Sequence, residues 1–264
     1  MNPSNQSSNP LAIASYGLNV AVRRSLTSHR ISEARNLRGT FTKDYSGNYR
    51  TANFISHDIF LKQGWKNIEN EIAVLWLCSG SEHIVDLQTV YQPSLADLPA
   101  LYLRRVPGIS LQEMLCRQPN ISEQQVKMVI RGLLRPLGFL HSMGIAHLDL
   151  KPKKVLLSGD RLGEGVKLCG FRLTRLIYGE VLVARNNTID RQYKAPEVLR
   201  LEPVSLATDI WSVGVMAQVM LTPRTSSNCV LPLPDRGPLA FINILRPQVS
   251  AQAVDFIDRC KGQQ

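Results

Sequence analysis

Acidic residues are absent from the first 32 positions of the sequence, although the chain of 264 residues carries a net charge of +10. Arg23, Arg24 and Arg30 lie in this segment among serine, asparagine and threonine. That composition is typical of a solvated basic extension, and it is compatible with a mitochondrial presequence or a tail that weakly attracts acidic partners. The basic residues are not interleaved with aromatic residues, so no specific nucleic-acid partner is expected.

Paired cysteines and long apolar runs are also missing. The five cysteines are scattered, and no two of them form a CxxC pair. We therefore expect neither a zinc site nor a disulfide framework, and we predict a reducing intracellular location, cytoplasmic or nuclear. No run approaches the roughly 18 apolar residues that a membrane span needs. The content of 44% hydrophobic and 20% charged residues is typical of a globular protein.

The first part of the chain predicts strands and one helix. Residues 66–78 place Ile68, Ile72 and Leu75 at spacings that suit one face of a helix, and Glu71 lies on that helix. Residues 25–48 show little periodicity and predict an irregular insertion. Alternating apolar and polar residues predict strands at 16–24, 49–55, 84–91 and 98–106.

The second part of the chain is mainly helical in pattern. Ser122 and Gln125 form a capping signature before the helix predicted at 122–142, and Pro136 should kink that helix. The apolar residues at 207–221 predict a helix that is buried nearly all round. Shorter patterns predict strands at 155–157 and 166–168, a long loop at 172–194 and a last helix at 251–260.

A short polar loop, HLDLKP at 147–152, lies between helical and strand patterns. It brings a carboxylate, Asp149, close in sequence to a cation, Lys151. Such a pair can hold a base and a positive charge against a transferring phosphoryl group. By itself the spacing is equally compatible with a solvated turn, so its meaning depends on the neighbouring motifs.

Three ordered motifs make the chain similar to the eukaryotic protein kinase domain. HLDLKP stands where that family has HRDLKP, APE at 195–197 matches as written, and DIWSVG at 209–214 matches the DxWSxG helix. NEIAVL at 70–75 and PVSLATDIWSVGVM at 203–216 resemble the death-associated protein kinases, especially the apoptosis-inducing branch. The resemblance implies a role in apoptotic signalling and covers residues 15–69 only loosely.

The resemblance implies an α+β, bilobal kinase fold. A flexible tail at 1–14 would precede a small antiparallel N-lobe with one helix at 15–106. A mainly helical C-lobe would follow at 107–264, and it is expected to lack the family's last helices.

Several of the family's functional residues have counterparts here. By resemblance, Asp149 would be the catalytic base and Lys151 a phosphate contact. His147 and Asp209 would brace the catalytic loop. The family's counterpart of Glu197 pairs with an arginine further on, in a helix that this chain is expected to end before reaching.

The family's nucleotide-binding residues are mostly replaced. Gly17 and Val22 are a weak match to the glycine-rich loop. Asn53 stands in place of the lysine that would pair with Glu71, and a neutral amide cannot supply that charge.

The family's two magnesium ligands are replaced as well. Lys154 stands in place of the asparagine, and Gly170 in place of the aspartate of DFG. Because Mg²⁺ demands oxygen ligands, no metal and no cofactor are expected. The cations Lys151, Lys154 and Arg172 could instead bind an anion or metal-free ATP weakly, or they could point to solvent.

These replacements predict a catalytically inactive kinase-like protein, a scaffold or modulator that shares the protein partners of an active relative. One alternative is a weakly active serine/threonine kinase in which Lys62 or Lys66 replaces the missing lysine, although neither lies on an evident strand. Another is a truncated, non-functional kinase-derived product.

Overall fold

The computed structural model describes residues 51–56, 59–63, 68–91, 100–159, 161–177, 191–222 and 248–262. The tail at 1–14, the predicted strand at 16–24 with Gly17 and Val22, and the insertion at 25–48 lie outside these residues. The chain divides into two compact units. The first unit comprises residues 1–80 and 86–105, and the second comprises residues 81–85 and 106–264.

The described residues of the first unit form an antiparallel sheet and one helix. Its core includes Ile72, Leu75 and Leu101, each at most 1% exposed. The strand order is β1-β2-β4-β3. The elements are β1 (Thr51–Ser56), β2 (Ile59–Gln63), α1 (Ile68–Leu77), β3 (Leu87–Tyr91) and β4 (Ala100–Arg104).

Strand β2 was not predicted, because IFLKQ begins with three consecutive apolar residues and does not alternate. Lys62 lies on this strand in register with Leu101 of β4. The prediction that Lys62 lies on no strand is therefore wrong. The strand predicted at 84–91 begins only at Leu87, since Ile84 forms an isolated bridge to Leu168 in the second unit.

The second unit combines short strands with longer helices. The strands in its described part form two antiparallel sheets, with the orders β5-β7-β8 and β6-β9. Single turns of 3-10 helix cover Pro152–Lys154 and Arg191–Tyr193. The other elements are β5 (Ile109–Ser110), α2 (Leu111–Arg117), α3 (Glu123–Ser142), β6 (Ile145–Ala146), β7 (Val155–Leu157), β8 (Val166–Leu168), β9 (Arg175–Leu176), α4 (Pro196–Arg200), α5 (Ala207–Leu221) and α6 (Ala251–Gly262).

Helix α5 is the centre of this unit, and it is buried nearly all round as predicted. Helices α3 and α6 both pack against it. A β-carbon on Gly214 would lie 2.6 Å from Cβ of Cys260, so the lack of a side chain there allows α6 to approach closely. None of the described helices is long and apolar enough to cross a membrane.

The buried cysteines act as packing residues. No disulfide joins cysteines within the described residues. Burial raises the pKa of the Cys78 and Cys260 thiols to about 11. These two thiols therefore remain protonated at neutral pH and behave as small apolar side chains.

Helix α3 begins with the predicted capping box. Oγ of Ser122 accepts a hydrogen bond from the Gln125 N–H at 3.2 Å, and Oε1 of Gln125 accepts one from the Ser122 N–H at 2.8 Å. The carboxylate of Glu123 also accepts a hydrogen bond from the Ser250 N–H at 2.8 Å. These contacts fix the start of α3 and join it to the start of α6.

Replacing Ser122 with alanine should lower the free energy of unfolding by about 1 kcal/mol, because a helical N–H loses its acceptor. Urea unfolding of the whole chain measures this change. Gln124→Ala is the matched control, since Gln124 is exposed next to the box, and it should change stability by less than about 0.5 kcal/mol. Equal effects of the two substitutions would show that the box contributes nothing specific.

Candidate functional site

The carboxylate of Asp209 holds the loop at 147–152 in place. Asp209 lies in the first turn of α5 and is fully buried. Its Oδ2 accepts a hydrogen bond from the His147 N–H at 2.7 Å, and its Oδ1 accepts one from the Leu148 N–H at 2.8 Å. The Nε2 atom of His141 lies 3.0 Å from Oδ2. Leu148 has a φ of 59°, an unfavourable value for leucine that these anchored N–H groups stabilise.

His147 is a buried, neutral link inside this loop. Its Nε2 lies 3.3 Å from the Cys169 carbonyl oxygen, and its Nδ1 accepts a hydrogen bond from the Asp149 N–H at 3.3 Å. Both contacts are satisfied by an imidazole protonated at Nε2. Burial lowers the pKa of His147, and the charge of Lys154 lowers it further, although Asp209 and Asp149 act in the opposite direction.

The structure brings the predicted base and cation into contact. Nζ of Lys151 donates a hydrogen bond to Oδ1 of Asp149 at 2.8 Å, and their side chains are only 6% and 7% exposed. A small cavity of about 10 Å³, close to the size of one water molecule, lies beside Asp149. Lys194, which was not singled out from the sequence, is buried and lines the same cavity. Asp149 can therefore accept a proton from a group that reaches this point, with Lys151 beside it as a cation.

The two replaced positions, Lys154 and Gly170, lie against each other. A β-carbon built on Gly170 would overlap Nζ of Lys154 and would lie 2.8 Å from its Cδ and Cε. Gly170 has a φ of 81°. The lysine side chain thus fills the space that a side chain at position 170 would enter.

Glu197 connects α4 to the start of α5. Its Oε1 accepts a hydrogen bond from Oγ1 of Thr208 at 2.6 Å, and Oγ1 of Thr208 accepts one from the Ser205 N–H at 3.1 Å. Sequence reasoning missed Thr208, and it also missed His141, whose position in the last turn of α3 was the available signal.

Two other predicted residues lie in the first unit. Glu71 is fully buried on α1, and Asn53 lies on β1. Gly17 and Val22 are outside the described residues. The structure therefore brings together six predicted residues in the second unit: His147, Asp149, Lys151, Lys154, Gly170 and Asp209.

Residues 48–229 match the model of the protein kinase domain. The chain belongs to the protein kinase domain family. The mixed helices and antiparallel sheets of the structure agree with this family, and the predicted α+β kinase fold is confirmed.

Curated relatives of this kinase domain include members of the death-associated branch. It is 38% identical to "Death-associated protein kinase related" of Drosophila melanogaster, over 81% of this chain and 32% of that protein. It is 33% identical to "Serine/threonine-protein kinase 17A" of Oryctolagus cuniculus, over 73% of this chain and 49% of that protein. The chain thus spans only a third to a half of the length of these relatives, and the predicted resemblance to the death-associated branch is confirmed.

At the two positions where the family holds magnesium, this kinase domain has a lysine and a glycine, and neither offers an oxygen ligand. Gly170 offers no ligand atom. The ammonium of Lys154 occupies the space that the β-carbon of a ligating residue at position 170 would need. A cation there repels a divalent ion and cannot coordinate it. Within the described parts of the chain, no group of three or more histidine, cysteine, aspartate or glutamate residues could hold a metal ion.

Replacing Asp209 with asparagine should lower the free energy of unfolding by about 2 kcal/mol or more, because an amide cannot accept from both N–H groups and also face His141. Urea unfolding measures the loss. Asp255→Asn is the control, since that exposed carboxylate contacts only Arg259 among the ion pairs of the described residues, and its loss should stay below about 1 kcal/mol. Similar losses in the two variants would contradict the bracing role of Asp209.

The lowered pKa of His147 predicts that acid destabilises the fold. The unfolded imidazole, with an ordinary pKa of 6.5, takes up a proton as the pH falls below that value, whereas the folded imidazole takes one up only at a lower pH. This contribution to stability is fully present above the unfolded pKa and is lost below it, by up to about 1.4 kcal/mol per pH unit. Urea unfolding at about pH 7.5 and about pH 5.5 measures the loss, which should be smaller in His147→Gln. An unchanged loss in that variant would contradict the assignment.

Proposed function

We propose that this kinase domain does not transfer phosphate and acts as a scaffold or modulator of protein partners. The observation that carries the proposal is the contact between Lys154 and Gly170. Neither residue is a ligand for magnesium, and Lys154 places a positive charge where the family's ligands would lie. Losing each preorganised electrostatic contact in an active site costs about a hundredfold in rate or more.

The replacement of the family's phosphate-binding lysine also supports an inactive domain. Asn53, on β1, stands where counting back from Glu71 places the family's phosphate-binding lysine. Its amide is neutral, so it cannot balance the charge of a triphosphate. The loss of this lysine and of both metal ligands together supports an inactive domain more strongly than any single replacement does.

Unlike the magnesium ligands and the phosphate-binding lysine, the residues that support the fold are retained. Asp209 still braces the loop, and Glu197 still joins α4 to α5. A domain that keeps this frame can present the surfaces of a kinase to other proteins without the chemistry. We therefore propose that its partners are protein partners of an active relative in the death-associated branch.

A weakly active serine/threonine kinase is the second candidate, and two observations favour it. Lys151 and Asp149 form a buried contact of 2.8 Å that could still position a base. Lys62 lies on β2, next to β4, and is a strand lysine that could replace Asn53.

Phosphotransfer from labelled ATP in the presence of magnesium tests the proposal. We expect the chain to label itself and a general serine/threonine peptide substrate no more than its Asp149→Asn variant does. The variant is the control because it removes the base and keeps the size of the side chain. Transfer that is abolished by Asp149→Asn would overturn the proposal and support the weak kinase.

A Lys62→Met variant then locates the lysine of any activity that is found. If the second candidate is correct, Lys62→Met should abolish transfer as Asp149→Asn does, because the α- and β-phosphates of ATP would lose their positioning cation.

A further inference from the structure

One face of helix α3 carries three cations in a row. Lys127, Arg131 and Arg135 follow one another at intervals of four residues, and all three are exposed. Residues four apart lie on the same side of a helix, so the row extends over about 12 Å along the helix axis. Leu134, which is 39% exposed, lies on the same face beside the arginines.

The cations of α3 differ from the cations of two other exposed helices. On α2 the carboxylate of Glu113 contacts Arg117 at 2.6 Å, and on α6 that of Asp255 contacts Arg259 at 2.9 Å. In both pairs the acid precedes the arginine by four residues. Among the residues that the structure describes, no ion pair and no side-chain hydrogen bond engages the three cations of α3.

The row is unfavourable for the helix itself. Each arginine follows another cation by four residues, and like charges at that spacing destabilise a helix. Glu123 precedes Lys127 by four residues, but both of its carboxylate oxygens already accept hydrogen bonds from Ser250. The helix tolerates the row because its opposite face is packed, with Leu133 and Leu140 fully buried. The cations are therefore presented on a rigid element at a cost in stability, as a binding surface requires.

We propose that the cationic face of α3, formed by Lys127, Arg131, Leu134 and Arg135, is a docking surface for an acidic segment of a partner protein. Carboxylates spaced by about one helical turn would match the three cations, and arginine can hold a carboxylate through two parallel hydrogen bonds. A β-carbon built on Gly138, four residues after Leu134, would meet nothing within 4 Å, so a partner helix has room to approach there. The inference rests on the proposed scaffold role, to which it adds the chemistry of the partner.

A protein fits this face better than a membrane or a nucleic acid does. Segments that bind anionic bilayers carry clusters of about four to eight basic residues, whereas this row has three. Proteins that bind single-stranded nucleic acid stack the bases on aromatic side chains beside the cations, and no exposed residue of α3 is aromatic.

A synthetic helical peptide is the probe that tests the proposal. It carries three glutamates four residues apart with one leucine beside them, and its control peptide has glutamine in place of each glutamate. Fluorescence anisotropy measures the binding of each peptide to the whole chain. We expect the glutamate peptide to bind at low ionic strength and to bind more weakly at high ionic strength, because salt screens exposed ion pairs. The glutamine peptide should not bind.

Two triple variants show whether the peptide binds at this face. The first neutralises the cationic face of α3 by Lys127→Gln, Arg131→Gln and Arg135→Gln. The second is the matched control, and it removes three charges from exposed residues elsewhere in the second unit by Arg161→Gln, Arg191→Gln and Arg259→Gln. We expect the first to lose affinity for the glutamate peptide by about tenfold or more, and the second by less than about threefold. The first variant should also melt at the same temperature as the unaltered chain or higher, because like charges are removed from the helix.

Three results would overturn the proposal: no binding of the glutamate peptide, equal losses in the two triple variants, or tighter binding of phosphatidylserine vesicles or single-stranded DNA that only the first variant loses. A charge exchange adds a test that does not depend on loss of binding. Arg131→Glu should bind a peptide with lysine in place of the central glutamate more tightly than the unaltered chain does, and failure of this exchange would also count against the proposal. Phosphate transfer from ATP would overturn the proposed function alone, because it is read separately from peptide binding.

Discussion

The second unit depends on one buried carboxylate. Asp209 connects the first turn of α5 to two successive N–H groups of the loop and to the end of α3 through His141. Without this acceptor, the N–H groups of His147 and Leu148 would be buried without their partner, and the backbone of Leu148 would lose its support. The positions of Asp149, Lys151 and Lys154 all follow from this anchor, since they continue the same stretch of chain.

The loop shows how a fold and its chemistry can be separated. The contacts that determine the backbone involve Asp209, His147 and Thr174, whose hydroxyl donates to the His147 carbonyl at 3.3 Å. The chemistry depends on the residues in and beside this loop, and those at positions 154 and 170 differ from the family's. Lys154 and Gly170 form one local arrangement, because the larger side chain occupies the room that the smaller one leaves. The anchor itself consists of the contacts of Asp209 with the N–H groups of His147 and Leu148, and these are retained beside the changed positions.

The long periodic elements could be predicted from the sequence. Helices α3 and α5 have enough turns for an apolar pattern, and the capping box at Ser122 marked the start of α3. Strand β2 and helix α4 were missed because short elements without alternation or repeated turns carry little signal. The replacements at 154 and 170 were visible in the sequence, but their mutual contact depends on how β8 returns beside the loop, which no local pattern reveals.

The contact between Glu123 and Ser250 joins residues that are 127 positions apart in sequence. The chain between these two helix starts includes α5, against which α6 also packs. The junction can therefore form only once the elements between its two ends have folded. This single hydrogen bond is thus a mark of completed tertiary structure and not of local order.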